Sequence, residues 1–97
     1  MQYGGTVYIL TNQYNTVLYT GVTSDLYNRI KEHKEKLYPH SFTAKYNCTK
    51  LVWFQIFTRI EEAIDVEKSI KGASRKYKMQ LIQTMNPQWK DLWNDEI

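Results

Sequence analysis

The chain opens with two short runs of aromatic, aliphatic and β-branched residues, 6–10 and 17–22. Between them lies the polar segment 12–15, Asn-Gln-Tyr-Asn, which is rich in turn-forming residues. Two β-type runs joined by such a segment predict a β-hairpin at the start of the protein.

The length of the hairpin loop sets which residues face each other. With a four-residue loop, Thr11 would face Thr16, and Tyr8 would then lie directly opposite Tyr19. Cross-strand partners share one face of a sheet, with Cβ atoms roughly 5 Å apart. We therefore expect the hairpin to bring two phenols to one spot.

A helix is predicted after the hairpin. Ser24 can cap it, and Asp25 in its first turn suits the positive end of the helix dipole. The helix should fade before Pro39, and residues 41–47 could form a short helical turn. The apolar positions that mark its buried side are Leu26, Ile30 and Leu37.

The segment 51–57 is rich in aromatic and branched residues and reads as a central strand. The residues that follow, 58–61, have the sequence Thr-Arg-Ile-Glu and match a capping box. A helix should therefore run from about residue 59 to about residue 71, with Gly72 ending it.

Ser74 is expected to open a further helix of about ten residues, with Met79, Leu81, Ile82 and Met85 as its apolar positions. Pro87 forces Asn86 out of the helical region, so this helix should stop there. A short C-terminal segment should then dock on the core through three apolar residues at helical spacing, Trp89, Leu92 and Trp93.

The element order is thus ββα(α)βααα. This order predicts a small mixed α/β fold with a three-stranded, mainly antiparallel sheet covered by helices. A length of 97 residues fits one domain, residues 1–97, and a hydrophobic content of 42% is enough for one modest core.

No apolar run approaches the roughly 20 residues of a membrane span, and no signal-peptide pattern opens the chain. Cys48 is the single cysteine, so we expect a small buried residue rather than a disulfide or a cysteine zinc cluster. These features lead us to expect a cytoplasmic protein that has no membrane partner.

The net charge of +3 conceals an uneven distribution. Three acids, Asp91, Asp95 and Glu96, lie near the C-terminus, whereas the stretches 36–59 and 68–90 contain bases and no acid. Such fields favour a polyanion such as nucleic acid, although a well-solvated surface would also explain them. The candidates for nucleic-acid contact are Lys45, Lys68, Lys71, Arg75, Lys76 and Lys78.

Glu67 falls on the apolar stripe of its predicted helix, which consists of Ile60, Ala63, Ile64 and Ile70. A carboxylate facing a core is costly unless it is paired or binds a metal. One reading is an ion pair with Lys71 at i+4. The other is a divalent cation such as Mg²⁺, which often uses only one or two protein carboxylates.

Three further polar residues have two readings each. Arg29 and His33 share one helical face, where Arg29 could bind a phosphate and His33 could move a proton, or both could be ordinary surface or half-buried residues. The Asn86 amide could bind a phosphate oxygen or orient a side chain, or Asn86 could simply end a helix before proline.

Together these residues resemble the GIY-YIG nuclease superfamily, specifically its small single-domain bacterial members. Thr6-Val7-Tyr8 stands in place of Gly-Ile-Tyr, and Tyr19-Thr20-Gly21 in place of Tyr-Ile-Gly. The similar segments that follow in order are 26–33, 42–47, 63–71 and 86–89. The sequence departs from the family pattern without removing a presumed catalytic group. Thr6 stands for glycine, Val7 and Thr20 stand for isoleucine, and Gly72-Ala73 stands for a basic residue and tryptophan.

The resemblance implies an endonuclease that hydrolyses phosphodiester bonds in DNA with one divalent metal, Mg²⁺ or Mn²⁺, held by Glu67. Arg29 would clamp the phosphate and Tyr8 would accept a proton from the attacking water, directly or with the help of His33. Tyr19 would orient water or phosphate, and Asn86 would complete the site. A side chain at Gly21 would crowd it.

Two other functions stay open from the sequence. One is a non-catalytic nucleic-acid-binding module that keeps the fold, and the other is a plain structural or protein-interaction domain. The choice between DNA and RNA and between repair and defence also stays open. Because so short a chain holds little besides the catalytic fold, a protein partner or a homodimer could supply specificity.

Overall fold

The computed structural model of this chain describes residues 4–93. Within that range it confirms the predicted mixed α/β fold, a three-stranded antiparallel sheet with helices packed on it. The elements in chain order are β1 (Gly5–Thr11), β2 (Leu18–Thr23), α1 (Leu26–Lys34), α2 (Phe42–Lys45), β3 (Lys50–Phe57), α3 (Ile60–Lys71) and α4 (Arg75–Met85).

The sheet has the order β2-β1-β3, with β1 in the centre and antiparallel to both neighbours. The prediction that segment 51–57 is the central strand is therefore wrong, because this segment forms the edge strand β3. Its apolar composition reflects burial, and Leu51, Val52 and Trp53 are buried at the edge of the sheet as well. All seven residues of β1 are buried. The register against β3 shifts between Ile9 and Leu10, where Val52 is the extra residue of a β-bulge. A central strand buried on both faces explains why its sequence alternates little between apolar and polar residues.

The predicted hairpin register is wrong by two residues. Tyr8 pairs with Gly21, and Tyr19 pairs with Leu10. The loop is longer than four residues because the Asn12 side-chain oxygen accepts hydrogen bonds from the backbone amides of Thr16 and Val17 (2.8 and 3.1 Å). Those two amides are therefore bonded within the loop. The β1–β2 ladder begins one residue after Val17, at Leu18, which pairs with Thr11.

Each face of the sheet carries its own buried cluster. Val7 and Ile9 point to the face covered by α3 and α4, where they pack with Ala63, Ile70 and Ile82. The alternate residues of β1, Tyr8 and Leu10, point to the other face and pack with Leu26, Ile30, Cys48, Leu51 and Leu92. Tyr8 is thus part of the core beneath α1, and Cys48 is a free, buried cysteine as predicted.

Helix ends differ from the predictions at two N-termini. The cap of α1 is Asp25, not Ser24, and its side chain accepts from the Asn28 amide. The capping box before α3 does not form, because Arg59 is the N-cap residue without a side-chain bond and the Thr58 hydroxyl bonds the Glu62 carboxylate instead. Because α1 ends at Lys34, Leu37 lies outside it and is exposed rather than buried.

The other boundaries agree with the predictions. The short turn α2 forms with Ser41 as its cap, Gly72 follows α3, and Ser74 caps α4. The helix α4 ends at Met85, and Asn86 adopts a non-helical conformation before Pro87. Of its predicted apolar positions Ile82 is buried and Leu81 partly so, whereas Met79 and Met85 are exposed.

The segment after α4 docks on the core as predicted. Leu92 is buried, its amide donates to the Leu51 carbonyl (2.8 Å), and Trp93 stacks on Tyr27. Asp91 holds this segment by pairing with Lys34 and accepting from the Leu51 amide. Residues 94–97, which include the acids Asp95 and Glu96, lie outside the described residues, so the expected last helix is described only as far as Trp93.

Helices within residues 4–93 are all too short or too polar to cross a membrane.

Candidate functional site

The predicted phenols share one face of the sheet although they are not direct partners. Because side chains alternate with a period of two, a register shift of two residues leaves Tyr8 and Tyr19 on the same face. Their ring centroids lie 6.3 Å apart, and each lies 5.8 Å from the ring of His33. Three aromatic side chains from β1, β2 and α1 therefore form one cluster.

Gly21 makes room for this cluster. A Cβ atom built on Gly21 would lie 2.5 Å from both Cζ and the hydroxyl oxygen of Tyr8. The expectation that a side chain here would crowd the site agrees with this geometry, and the crowded group is the Tyr8 phenol itself.

A chain of hydrogen bonds runs through His33. Its Nε2 lies 3.0 Å from the Tyr8 hydroxyl, and its Nδ1 lies 2.8 Å from Oγ1 of Thr43. Thr43 Oγ1 in turn lies 3.3 Å from Oγ of Ser41, the N-cap of α2. Tyr8, His33 and Thr43 are all buried, so water competes little for these bonds.

Arg29 lies one helical turn before His33 on the same face of α1. Its Nη1 donates to the Glu32 carboxylate (3.0 Å), and its guanidinium lies 5.8 Å from the centre of the Tyr38 ring. The Arg29 side chain is 34% exposed. It therefore keeps a solvent-facing cation beside the aromatic cluster.

Burial shifts two proton equilibria in the cluster. It raises the pKa of Tyr8 to about 12, with a further rise from Tyr19 that the neighbouring Arg29 guanidinium partly offsets. Burial lowers the pKa of His33 to about 4, and the positive charge of Arg29 adds to this effect. Near neutral pH, Tyr8 is a neutral phenol and His33 a neutral imidazole.

Glu67 lies on the buried stripe of α3, as predicted, between Ala63 and Ile70. Its side chain is only 10% exposed, and its Oε2 lies 2.8 Å from Nζ of Lys71. The ammonium of Lys71 also lies 5.9 Å from the centre of the Tyr19 ring. Of the two readings of Glu67, the i,i+4 ion pair is the one that the structure contains, and it lies beside the aromatic cluster.

Glu67 is suited in kind to a hard divalent cation, because such cations take oxygen ligands and its carboxylate already attracts an ammonium at that place. Within residues 4–93 no group of three or more His, Cys, Asp or Glu side chains could hold a metal. A metal bound to Glu67 would thus have at most two such side chains of the described residues as ligands, with water and phosphate oxygens completing the shell.

Asn86 is buried at the junction of α4, β3 and the C-terminal segment. Its Nδ2 donates to the carbonyls of Val52 (3.2 Å) and Lys90 (2.7 Å), and its Oδ1 accepts from the Lys90 amide (3.1 Å). No contact described for residues 4–93 joins Asn86 to the aromatic cluster. The structure therefore gives Asn86 a clear role in docking the C-terminal segment.

The basic candidates are spread over three helices. Lys45 lies in α2 with its ammonium 5.4 Å from the Tyr46 ring, while Lys68 and Lys71 are exposed on α3. Arg75 donates to the Thr16 carbonyl (3.0 Å) and so braces the hairpin loop. Lys76 and Lys78 lie on α4, which packs over β3. Strand β3 and strand β2 form opposite edges of the sheet.

Two residues near the cluster received no individual role from the sequence. Thr43 lies within hydrogen-bond distance of His33, and Phe42 stacks on Tyr19 with ring centroids 5.9 Å apart while about half of Phe42 is exposed. Both lie in the four-residue helix α2, which is too short to show hydrophobic periodicity. The one signal for them was the resemblance of segment 42–47.

Comparison with known proteins places this arrangement in a family. A family model described as the GIY-YIG catalytic domain matches residues 4–81. The chain is 35% identical over 82 residues to a UPF0213 protein of Syntrophus aciditrophicus (strain SB), covering 84% of this chain and 92% of that protein. It is 38% identical over 78 residues to a UPF0213 protein of Clostridium perfringens (strain 13 / Type A), covering 80% and 82%.

The fold is also found in a solved structure. The solution NMR structure of a UPF0213 protein from Bacillus halodurans is similar with a TM-score of 0.57 and 29% identity, over 95% of this chain and 96% of that one. The match of the catalytic-domain model covers most of the chain, including both tyrosines, Arg29, His33 and Glu67. The chain therefore belongs to the GIY-YIG family.

Proposed function

We propose that this protein is a metal-dependent endonuclease that hydrolyses phosphodiester bonds in DNA. The observation that carries the proposal is the hydrogen bond between Tyr8 and His33 inside a cluster that also contains Tyr19 and adjoins Arg29. Membership of the GIY-YIG family supports the same function.

Arg29 is the phosphate-binding group in this proposal. Its guanidinium carries several donors in a fixed fork that matches phosphate oxygens, and it is charged at every working pH. Partial exposure lets substrate reach it, and its place beside Tyr8 puts the phosphate next to the phenol. The charge of Arg29 would stabilise the negative charge that develops during hydrolysis.

Glu67 would hold the divalent metal, Mg²⁺ or Mn²⁺. A bound cation of this kind supplies Lewis-acid polarisation of the phosphate and stabilises the leaving oxygen. To bind Oε2 of Glu67 it must displace the Lys71 ammonium. Lys71 can leave readily, since 54% of its side chain is exposed.

Tyr8 needs a partner to act on a water molecule, because a neutral phenol with a pKa of about 12 holds its own proton at neutral pH. His33 Nε2 is that partner at 3.0 Å. Tyr8 can accept a proton from water while it passes its own proton to His33. The negative charge of a bound phosphate would favour the imidazolium by offsetting the effect of Arg29.

The surface beside the cluster suits nucleic acid. Phe42 stacks on Tyr19, Tyr46 lies 4.7 Å from Phe42, and both Phe42 and Tyr46 are exposed. The ammonium of Lys45 lies next to Tyr46. Exposed aromatic rings with neighbouring cations provide stacking and electrostatic contacts to bases and phosphates.

One observation favours a second function, a non-catalytic nucleic-acid-binding module. The Glu67 carboxylate forms an ion pair with the Lys71 ammonium at 2.8 Å, so its negative charge is balanced without a metal ion. If that pair persisted in the presence of Mg²⁺, the basic and aromatic surface would bind nucleic acid without cleaving it.

A cleavage assay separates the two functions. Single-stranded, duplex and branched DNA are incubated with the protein in Mg²⁺, in Mn²⁺ and in EDTA, and binding is measured in parallel. The nuclease predicts cleavage that EDTA abolishes, whereas binding without metal-dependent nicking favours the module.

The matched variants are Glu67→Gln and Asp65→Asn, both on α3, with Asp65 exposed. We expect Glu67→Gln to fold and to lose cleavage while Asp65→Asn keeps it. Normal metal-dependent cleavage by folded Glu67→Gln protein would overturn the role of Glu67.

A further inference from the structure

Thr43 is a buried polar residue that takes no direct part in the proposed proton transfer from Tyr8 to His33. It lies in α2, with 2% of its surface exposed and its Oγ1 2.8 Å from Nδ1 of His33. It therefore touches the ring nitrogen that does not face Tyr8. A hydrogen bond at that nitrogen influences which of the two ring nitrogens carries the proton in the neutral imidazole.

A neutral imidazole carries one N–H and one lone pair, so the hydrogen bonds of His33 have two arrangements. In the first, Nδ1–H donates to Thr43 and Nε2 accepts from the Tyr8 hydroxyl. In the second, Thr43 donates to Nδ1 and Nε2–H donates to the Tyr8 oxygen. Only the first arrangement leaves Nε2 able to take a proton from Tyr8.

The donors and acceptors favour the first arrangement. A phenol is a more acidic donor than an aliphatic hydroxyl, and an aliphatic hydroxyl oxygen is a better acceptor than a phenol oxygen. Tyr8 is 1% exposed, and the guanidinium of Arg29 beside it offers donors only. In the second arrangement the buried Tyr8 proton would lose His33 as its acceptor, at a cost of about 1 to 3 kcal/mol for an unpaired buried group.

The polar neighbours of Thr43 are also compatible with the first arrangement. When Thr43 Oγ1 accepts from His33, its own proton can point to Oγ of Ser41, 3.3 Å away. Ser41 also accepts from the Ala44 amide as the cap of α2. The bonds then run in one direction, from Tyr8 through His33 and Thr43 to Ser41.

We propose that Thr43 is a positioning residue that fixes His33 in the Nδ1–H tautomer and so keeps Nε2 as the proton acceptor for Tyr8. The tautomer itself depends only on the resting structure, whereas its use in catalysis rests on the proposed nuclease function.

In the proposed reaction, proton transfers through Tyr8 and His33 accompany the bond changes at phosphorus. The water oxygen forms a bond to phosphorus as the bond to the leaving sugar oxygen breaks, and that oxygen takes a proton from solvent. The proton of the attacking water goes to the Tyr8 oxygen while the Tyr8 proton goes to Nε2 of His33. His33 becomes an imidazolium whose Nδ1–H still donates to Thr43, and it later returns its proton to solvent.

The tautomer can be measured directly on the resting protein. Long-range ¹H–¹⁵N NMR spectra distinguish the two ring nitrogens of each histidine, and the exposed His40 serves as an internal reference. We expect His33 in the wild-type protein to carry its proton on Nδ1. A proton on Nε2 in the wild-type protein would overturn the proposal without any variant.

Three variants extend the measurement. Thr43→Val keeps the shape but cannot accept from Nδ1–H, so we expect His33 to change to the Nε2–H tautomer, and Thr43→Ser should restore Nδ1–H. The matched control is Thr20→Val, because Thr20 Oγ1 is buried without a hydrogen-bond partner among the described residues. An unchanged His33 spectrum in folded Thr43→Val protein would contradict the proposal.

Cleavage kinetics test the catalytic consequence separately. We expect Thr43→Val to lower kcat at least about tenfold with little change in KM, since a proton-transfer group contributes to the transition state. Thr43→Ser and Thr20→Val should stay near the wild-type rate. If the wild-type protein cleaves nothing, the nuclease proposal fails, and the NMR spectra still decide the role of Thr43.

Discussion

Gly21 lies directly opposite Tyr8 in the β1–β2 ladder, and the Tyr8 ring covers the place where a side chain on Gly21 would stand. This relationship explains the glycine by space rather than by backbone conformation, because no glycine among the described residues has a positive φ. The ring has little freedom to move, since Tyr8 is buried and its hydroxyl is bonded to His33.

We predict that Gly21→Ala displaces the Tyr8 ring. The new methyl group would lie 2.5 Å from Cζ and the hydroxyl oxygen of Tyr8, so the ring must move aside. Overpacking of this kind costs about 1 to 3 kcal/mol in a packed core. Urea unfolding should show this loss of stability, and cleavage should fall because the bond to His33 is broken. The matched control is Gly72→Ala, whose new methyl would meet only atoms 3.6 Å away or farther. Equal stability of the two variants would contradict the prediction.

The buried His33 predicts a dependence of stability on pH. Burial and the charge of Arg29 lower its pKa to about 4, below the ordinary value of 6.5, so between these pH values the unfolded chain binds more protons than the folded one. The free energy of unfolding should therefore fall as pH decreases from 6.5 towards 4. We expect His33 to account for a loss on the order of 1 to 2 kcal/mol by pH 5.

The variant His33→Gln isolates this effect from the titration of carboxylates. Its stability should decline less than that of the wild-type protein between pH 6.5 and 5, as measured by urea midpoints at each pH. Parallel declines in the two proteins would show that His33 is not the group responsible.

Lys71 should compete with metal for Glu67. Replacing it by methionine keeps an apolar stem beside Tyr19 but removes the ammonium 2.8 Å from the carboxylate. Because Lys71 is more than half exposed, the pair contributes about 1 kcal/mol, so Mn²⁺ should bind Lys71→Met about fivefold more tightly. Titration calorimetry without DNA measures this affinity. Lys68→Met, one residue from Glu67 and exposed, should leave it unchanged.

Asn86 should matter for stability. An alanine in its place would leave the carbonyls of Val52 and Lys90 and the amide of Lys90 without their partner. Loss of these largely buried bonds should lower the free energy of unfolding by about 2 to 4 kcal/mol. Gln83→Ala, at an exposed position of α4, is the control and should change it by less than about 0.5 kcal/mol. A urea midpoint for Asn86→Ala equal to that of the control would refute this role.

Local patterns predicted the elements of the fold well, because apolar spacing and terminating residues act over a few positions. Ser74 and Pro87 marked both ends of α4 correctly. The hairpin register was wrong because the Asn12 side chain bonds backbone amides four and five residues later, and no propensity rule reports that contact. The face shared by Tyr8 and Tyr19 was nonetheless right, because the shift was by an even number of residues.

The candidate groups of the site can be identified from the amino-acid sequence: two tyrosines on one face of a hairpin, an arginine and a histidine one helical turn apart, and a glutamate on an apolar stripe. How these groups meet depends on the packing of the folded chain. That packing joins Tyr8 to His33 and His33 to Thr43, and it pairs Glu67 with Lys71 next to Tyr19. The reason is that periodicity specifies the face on which a side chain lies, whereas its hydrogen-bond partner depends on packing between elements far apart in the chain.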